Sequence, residues 1–419
     1  MPLGYLRLGA PFAGWRLTCS KGSALALAKQ KDCALLALRT TGCYHTERRD
    51  RDYGVLPMAD ARPRTFISVL VFLFLFFSAL SASSAVNSPP FYPDKTRLLL
   101  YRDAAGKEHP IGTPADWDKR RAHILANMQL VMGPLPDIGC QVPLDVTVKE
   151  EVKTDKYVRR KISFAVEEND RVPAYLLIPN ERQGKLPALL CLHQTVRIGK
   201  GEPAGLGERE NLRYAAHLAE RGYVTLAPDY PSFGEYEFDF ARSSFPSGTM
   251  KAIWNNMRAI DLLQTLPEVD AKRIGCIGHS LGGHNAMFTA AFDTRIRALV
   301  SSCGFTSFPK YFAGNLKGWT SARYMPRIAS LYEMNPEKMP FDFTEVVAAF
   351  APRAFLASAP IRDDNFEVSG VRDCIAAAKP VYELLGAKEK LAASYPSCGH
   401  DFPAEARKVA YDWLDRWLK

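Results

Sequence analysis

The stretch RIGCIGHSLGGHNA, residues 273–286, decides the fold. An apolar run at 273–278 leads into Gly278-His279-Ser280-Leu281-Gly282, and a helix-compatible segment follows. A G-x-S-x-G sequence between a strand and a helix is typical of a sharp turn that lifts a serine hydroxyl above the sheet edge. Glycines flank the serine because such a turn leaves no room for Cβ atoms. The stretch therefore predicts Ser280 as a nucleophile.

The base is predicted from its place in the chain. A serine hydroxyl needs an adjacent base before it can attack a carbonyl. His400, in Cys398-Gly399-His400-Asp401, follows the last predicted strand and precedes the last predicted helix. That position favours His400 as the base. His279 and His284 flank the serine turn, and we expect both to be structural.

The acid is expected in the loop after the apolar run AFLAS, residues 354–358, which contains the pair Asp363-Asp364. The order serine, aspartate, histidine along the chain then fits a triad of this type. We favour Asp363, because an apolar residue, Phe366, follows it by three positions and can pack under the sheet edge. Asp364 is the alternative, and it would otherwise turn away to bond loop N–H groups.

Two backbone N–H groups are needed to stabilise an oxyanion. We expect them from Leu281, directly after the nucleophile, and from Gln194, after the apolar run 188–193. The glycine-rich loop 199–207 lacks the spacing of both common nucleotide-binding motifs, and H-E-x-x-H is absent from the sequence. The sequence thus predicts no cofactor and no metal.

The surrounding pattern predicts an α/β fold with a mostly parallel central sheet and helices on both faces. Three alternating runs, at 144–152, 158–166 and 172–178, predict antiparallel N-terminal strands. Buried-type runs that alternate with helices then predict parallel strands. An aromatic-rich insertion at 304–345, counted as following the sixth strand, is expected to pack over the active-site edge. The later runs lie at 188–193, 223–228, 273–278, 298–303, 354–358 and 391–395.

From about residue 140 to 419 the chain resembles the dienelactone hydrolase, acetyl xylan esterase and prolyl oligopeptidase branch of the α/β-hydrolases. The similar stretches are APDYPSFGEY (227–236), IGHSLGGHNA (277–286), RDDNF (362–366) and CGHDFP (398–403). The resemblance implies the α/β-hydrolase fold and a serine hydrolase with an acyl-enzyme intermediate. Its members cleave esters, peptides and lactones, so fold alone does not name the substrate. His193-Gln194 stands where relatives usually have His-Gly.

Three functions follow as hypotheses. A carboxylic-ester hydrolase is favoured, because an ester has a better leaving group than an amide and demands less from the acid. The substrate would be a small-molecule or saccharide ester, since the aromatics of the insertion suit a sugar ring. The alternatives are a serine peptidase of prolyl oligopeptidase type that acts on short peptides, and a non-catalytic binding protein. Few residues separate Ala85 from the first predicted strand, so we do not expect the propeller of those peptidases.

The N-terminal region predicts export. Residues 66–80 form an uninterrupted apolar run, preceded by Arg62 and Arg64 and followed by the small residues SASSA. This is the pattern of a signal peptide, here 58–85, with cleavage near Ala85 and a periplasmic or extracellular product. No stable membrane span is expected after cleavage, because the run is shorter than the roughly 20 residues that a span needs. We interpret 1–57 as an upstream extension before Met58, 86–139 as a linker and helix, and 140–419 as the catalytic domain.

The distribution of charge along the chain limits the class of partner that the protein is expected to bind. The formal charge is +9, but two thirds of it lies in residues 1–85. The remainder has no basic face of the kind that nucleic acid requires, so no nucleic-acid partner is expected.

Six cysteines follow the predicted signal, which permits disulfides in an exported protein. Cys191 and Cys276 lie inside strand-like runs and are expected to be buried and free.

Overall fold

The computed structural model describes residues 88–137, 139 and 141–419. Its centre is a nine-stranded sheet in the order β11-β10-β9-β8-β6-β7-β5-β4-β3. The five pairs from β11 to β7 are parallel, and the three pairs from β7 to β3 are antiparallel. This confirms the predicted α/β-hydrolase architecture with its antiparallel start. The strands are β3 (Thr147–Lys153), β4 (Tyr157–Glu167), β5 (Asp170–Pro179), β6 (Leu186–Leu192), β7 (Val224–Pro228), β8 (Val269–His279), β9 (Ile296–Ser302), β10 (Ala354–Ser358) and β11 (Leu391–Ser394).

Helices cover both faces of the sheet. The parallel strands read as continuous apolar runs because both of their faces are buried against helices. One face carries the larger apolar cluster, and the other carries a second cluster with the C-terminal helix. The helices are α1 (Pro114–Met132), α2 (Tyr214–Glu220), α3 (Gly248–Thr265), α4 (Leu281–Phe292), α5 (Arg327–Ser330), α6 (Phe343–Ala348), α7 (Val368–Leu384) and α8 (Ala404–Leu418).

The segment before the sheet packs onto the same core. Thr113 caps the predicted helix α1 by accepting a hydrogen bond from the Asp116 N–H, as its short hydroxyl side chain favours. On the buried face of α1, Arg120 pairs with Glu345 at 2.6 Å, and both side chains are fully buried. A two-stranded hairpin, β1 (Leu100–Arg102) with β2 (Glu108–Pro110), precedes α1 and was not predicted.

The predicted insertion contains no strand in the described chain and consists of short helical turns. It follows β9, which is the seventh strand of this sheet in chain order, so the count made from sequence was one strand short. Non-glycine residues with positive φ, Phe312 and Ala313, break its turns. Its inner aromatic residues are buried in the main core, whereas Phe312 is 55% exposed.

The remaining sequence predictions concern the N-terminal segments, the cysteines and membrane spans. The proposed extension 1–57 and signal peptide 58–85 lie outside the described residues. Cys191 and Cys276 are buried and free as predicted, and the described cysteines form no disulfide. Among the residues that the structure describes, no helix combines the length and apolar character needed to cross a bilayer.

Candidate active site

The turn after β8 forces Ser280 into an unusual backbone conformation. Ser280 has φ 54° and ψ −118°, in a region that L-residues rarely adopt. Its N–H donates to the Ser302 carbonyl of the neighbouring strand at 2.8 Å. A Cβ atom at Gly282 would lie 1.8 Å from the Leu192 carbonyl oxygen, so glycine is required there. Local strain held in place by its surroundings in this way is common at functional sites.

A continuous hydrogen-bond chain joins the three predicted triad residues. His400 Nε2 lies 2.9 Å from Ser280 Oγ. His400 Nδ1 lies 2.9 Å and 3.0 Å from the two carboxylate oxygens of Asp363. An ionised carboxylate can accept a hydrogen bond but cannot donate one. The proton of this bond therefore lies on Nδ1, and Nε2 is free to accept from the serine hydroxyl. The arrangement can deprotonate Ser280 and then return the proton.

The environment of Asp363 keeps it ionised. Its side chain is 1% exposed. Burial alone raises the pKa of Asp363, but hydrogen bonds from His400 and from the Asn365 and Phe366 N–H groups outweigh burial and lower it. Asp364 is exposed, and the two ring nitrogens of His400 bond to Asp363 and Ser280 instead. The loop N–H groups bond to Asp363 at 2.9 and 3.0 Å. The expectation that Asp364 bonds them is therefore wrong.

The loop that carries Gln194 is held rigidly. The His193 imidazole accepts a hydrogen bond from the Tyr230 N–H at 2.9 Å. Beyond it, buried Lys200 pairs with Asp229 at 2.7 Å. In the described chain, neither the Gln194 N–H nor the Leu281 N–H has a hydrogen-bond partner, so both predicted oxyanion donors are free to bind a ligand. The Gln194 side-chain amide is also buried, and its two polar atoms have no partner in the described chain.

The insertion supplies the wall of a small pocket of about 70 Å³ beside the serine. Aromatic side chains dominate this wall, and Trp319 is 3% exposed. Phe366 belongs to the same wall, with its ring centroid 6.0 Å from that of His400. Phe366 therefore contributes to the pocket wall, and as a buried member of the main apolar cluster it also packs against the core. The pocket is lined by Thr195, Ser280, Leu281, His284, Tyr311, Gly318, Trp319, Tyr324, Asn365 and Phe366.

The two histidines beside the elbow differ in their roles. His279 is structural as predicted, since its Nδ1 lies 3.0 Å from Ser302 Oγ and its ring lies behind His400. His284 was also expected to be structural, but it lines the pocket. It lies one helical turn after Ser280, and residues at i and i+4 share a helix face. That spacing is the sequence signal that identifies it.

The tautomer of His284 follows from its partner. Its Nδ1 lies 3.2 Å from the Gly304 carbonyl, which can only accept, so Nδ1 carries the proton. Burial lowers the pKa of His284 to about 3, so the ring is neutral. Its Nε2 is therefore a bare acceptor, buried and without a partner in the described chain. The Nε1–H of Trp319, whose ring centroid lies 4.7 Å from that of His284, is a second unpaired group.

Comparisons with known proteins agree with this site. A family model described as glucuronyl esterase of fungi matches residues 236–386, which include Ser280 and Asp363. A Bacillus subtilis (strain 168) protein described as a hydrolase, YtaP, is 26% identical over 300 residues, covering 69% of this chain and 96% of its own. Carbohydrate esterase MZ0003, from an unknown prokaryotic organism, is 22% identical over 64% of this chain and 74% of its own.

Solved structures share the fold. A glucuronoyl esterase from Solibacter usitatus superposes with a TM-score of 0.62 at 19% identity, over 78% of this chain and 98% of its own. The chain is a carboxylic-ester hydrolase with the α/β-hydrolase fold. The matches do not favour the peptidase alternative for this esterase.

One group in the described part of the esterase has the spacing of a metal site, and it overlaps the triad. Ligand atoms of Cys303, Asp363 and His400 lie within 4.8 Å of one another. However, Asp363 and His400 are already bonded to each other, and burial raises the pKa of the Cys303 thiol well above its usual value. A neutral thiol is a poor metal ligand, because the thiolate is the binding form. The group therefore fits a proton relay better than a metal.

Proposed function

We propose that the esterase hydrolyses carbohydrate-linked carboxylic esters, with Ser280 as nucleophile, His400 as base and acid, and Asp363 as the residue that orients His400. The observation that carries this proposal is the hydrogen-bond chain from Ser280 Oγ through His400 to Asp363. Such a chain provides nucleophilic catalysis with general acid–base assistance. The serine lies at the pocket, so a bound ester carbonyl can reach it.

The reaction proceeds in two halves. Ser280 Oγ attacks the ester carbonyl carbon while His400 Nε2 takes its proton. The resulting oxyanion is stabilised by the Leu281 and Gln194 N–H groups. The carbon–oxygen bond to the alcohol then breaks, and His400 gives the alcohol its proton. A water molecule, activated by His400, attacks the acyl-enzyme, and the acid leaves as Ser280 regains its proton.

The pocket chemistry supports a hydroxylated substrate. Aromatic faces suit the apolar faces of a sugar ring, and such pockets bind their ligands through a few well-placed polar groups. The described residues that line the pocket include no carboxylate, lysine or arginine, so the pocket suits an uncharged group. The matched glucuronyl esterase model supports an ester of a sugar acid, whose esterified carboxyl group carries no charge.

Labelling of the purified protein with a fluorophosphonate probe tests the mechanism. We expect one probe per chain in the wild type and none in Ser280→Ala. The substrate class is tested separately by comparing kcat/KM for methyl glucuronate and acetylated sugars with that for proline-containing dipeptide amides. Labelling that survives in Ser280→Ala contradicts the mechanism, and a preference for the amides contradicts the substrate class.

Export is part of the same proposal. Carbohydrate polymers that carry ester groups lie outside the cytoplasm. The apolar run at 66–80 has the pattern of a secretion signal, which would bring the enzyme to them. Expression from Met58 should yield a mature protein that begins near Val86. N-terminal sequencing of the exported material is the measurement, and a cytoplasmic product that keeps residues 58–85 contradicts the proposal.

A further inference from the structure

A second cavity, of about 470 Å³, lies far from the serine and is strongly basic. We call it the basic cleft, and its four cationic lining residues are Arg121, Arg297, Arg353 and Lys390. Three of them lie near the first residues of the parallel strands β9, β10 and β11. Ser280 lies at the opposite end of its strand, β8, and adjacent parallel strands align their ends. The basic cleft and the active site therefore occupy opposite edges of the sheet.

Two of the cations are fixed by backbone groups. Arg121 donates to the Ala349 carbonyl at 2.9 Å and to the Ala291 carbonyl at 2.7 Å. Arg353 donates to three carbonyls, with the shortest contact at 2.6 Å to Ala290. These bonds hold both guanidinium groups in place without an ionic partner. The two groups are thus positioned before any ligand arrives, which lowers the entropy cost of binding.

The other two cations are unpaired. Neither Arg297 nor Lys390 forms a salt bridge in the described chain. The Lys390 Nζ lies over the Trp417 ring, 5.3 Å from its centroid, and both residues line the cleft. Asp118, which is exposed, is the single carboxylate of the lining. Four cations therefore face one carboxylate across the cavity.

The positive charges of the basic cleft repel one another. The pKa of Arg353 is lowered to about 10; burial is the largest cause, and the nearby charges of Arg121 and Arg297 act in the same direction. Asp293 is itself engaged by Arg295 at 2.6 Å. A concave surface of one charge sign concentrates the potential and attracts ions of the opposite sign.

We propose that the basic cleft binds a small anion with two or more negative charges, of the phosphate or polycarboxylate class. Arginine forks suit both classes, because they donate paired hydrogen bonds to planar or tetrahedral oxyanions. The cavity has the size of a small-molecule site, and Trp417 and Pro352 give it an apolar side. This ligand would not reach Ser280, so the site is separate from ester hydrolysis.

Isothermal titration of the full chain with inorganic pyrophosphate and with citrate tests the proposal. We expect saturable one-to-one binding by at least one of the two, which also separates the phosphate from the carboxylate class. Arg297→Gln and Lys390→Gln should each weaken binding about tenfold, the loss of roughly one charge-assisted hydrogen bond. Lys149→Gln is the matched control, because it removes the same charge from an exposed residue of the distant strand β3.

Thermal unfolding at constant ionic strength provides the second readout. Pyrophosphate or citrate should raise the Tm of the wild type and of Lys149→Gln more than sodium chloride does, and the two cleft variants should lose this increase. Hydrolysis of 4-nitrophenyl acetate should be unchanged in both cleft variants. Equal binding by Arg297→Gln, Lys390→Gln and the wild type, or a Tm response that salt alone reproduces, overturns the proposal.

Discussion

The sharpest prediction concerns His284, which lines the pocket and whose buried Nε2 acceptor has no partner in the described chain. His284→Phe keeps a ring of similar shape and removes the acceptor, whereas His284→Gln keeps a carbonyl acceptor. If a substrate hydroxyl donates to Nε2, its loss removes one neutral hydrogen bond. Such a bond contributes about 0.5–1.5 kcal/mol, which is roughly 2- to 13-fold in kcat/KM.

Two esters separate this role from a structural one. Methyl glucuronate carries ring hydroxyls, and methyl tetrahydropyran-2-carboxylate has the same ring without them. In His284→Phe we expect kcat/KM to fall about tenfold for the first ester and to stay constant or rise for the second. The second ester gains because the wild-type enzyme must leave a buried acceptor unpaired when it binds.

The two variants of His284 provide the controls. His284→Gln should retain most of the preference for the hydroxylated ester, because its carbonyl can replace Nε2. Fluorophosphonate labelling of Ser280 should proceed in both variants, which shows that the triad is intact. A uniform loss on both esters would mean that His284 only supports the elbow, and no loss on either would mean that Nε2 does not contact the substrate.

Three further predictions concern the triad, the core and pH. Ser280→Ala and His400→Ala should each lower kcat by about 10⁴- to 10⁶-fold in steady-state kinetics. Because the two residues act as one unit, the double variant should lose no more activity than either single variant. Arg120→Met should lower the free energy of unfolding by about 3–5 kcal/mol, because Glu345 remains buried without its cation, and Arg120→Met with Glu345→Leu should recover much of that loss in urea titrations. Burial lowers the pKa of His279 to about 3, below the roughly 6.5 of an unfolded chain. The unfolded state therefore binds the extra proton, and stability falls as pH drops below about 6.5. At pH 5 His279 accounts for about 2 kcal/mol of this loss, which His279→Gln should remove in urea titrations, whereas the loss due to His284 should remain.

The fold was predictable because its strongest signals are local. The strands near the serine are apolar runs such as Leu186–Leu192 and Ala354–Ser358, which only a two-sided buried position explains. Turn glycines and cap residues mark their ends. By contrast, the strands β1 and β2 have three residues each, too few for a two-residue period to register, and they were missed.

The pocket was less predictable than the fold. Its wall comes from the insertion, where short turns with positive φ at Phe312 and Ala313 replace regular periodicity. Sequence could place aromatic residues near the active-site edge but could not decide which of them would turn inward. The role of His284 was missed for the same reason, because its surroundings, Trp319 and the Gly304 carbonyl, come from that irregular segment.

The choice between Asp363 and Asp364 as the catalytic acid depends on the structure as well as on the sequence. Asp363 and Asp364 are adjacent, identical in type and equally placed after β10, so composition cannot separate them. The structure differs between them: one Asp363 oxygen accepts from His400 and from two loop N–H groups, while Asp364 is exposed. Asparagine at 363 would present an amide to His400 Nδ1 and favour the wrong tautomer, a change that costs about 10⁴ in kcat in a comparable triad. We therefore expect a loss of orders of magnitude for Asp363→Asn and less than twofold for the matched variant Asp364→Asn, measured as kcat on 4-nitrophenyl acetate. Because both substitutions remove one charge from the same loop, a larger loss in Asp364→Asn would reverse the assignment and could not be attributed to electrostatics alone.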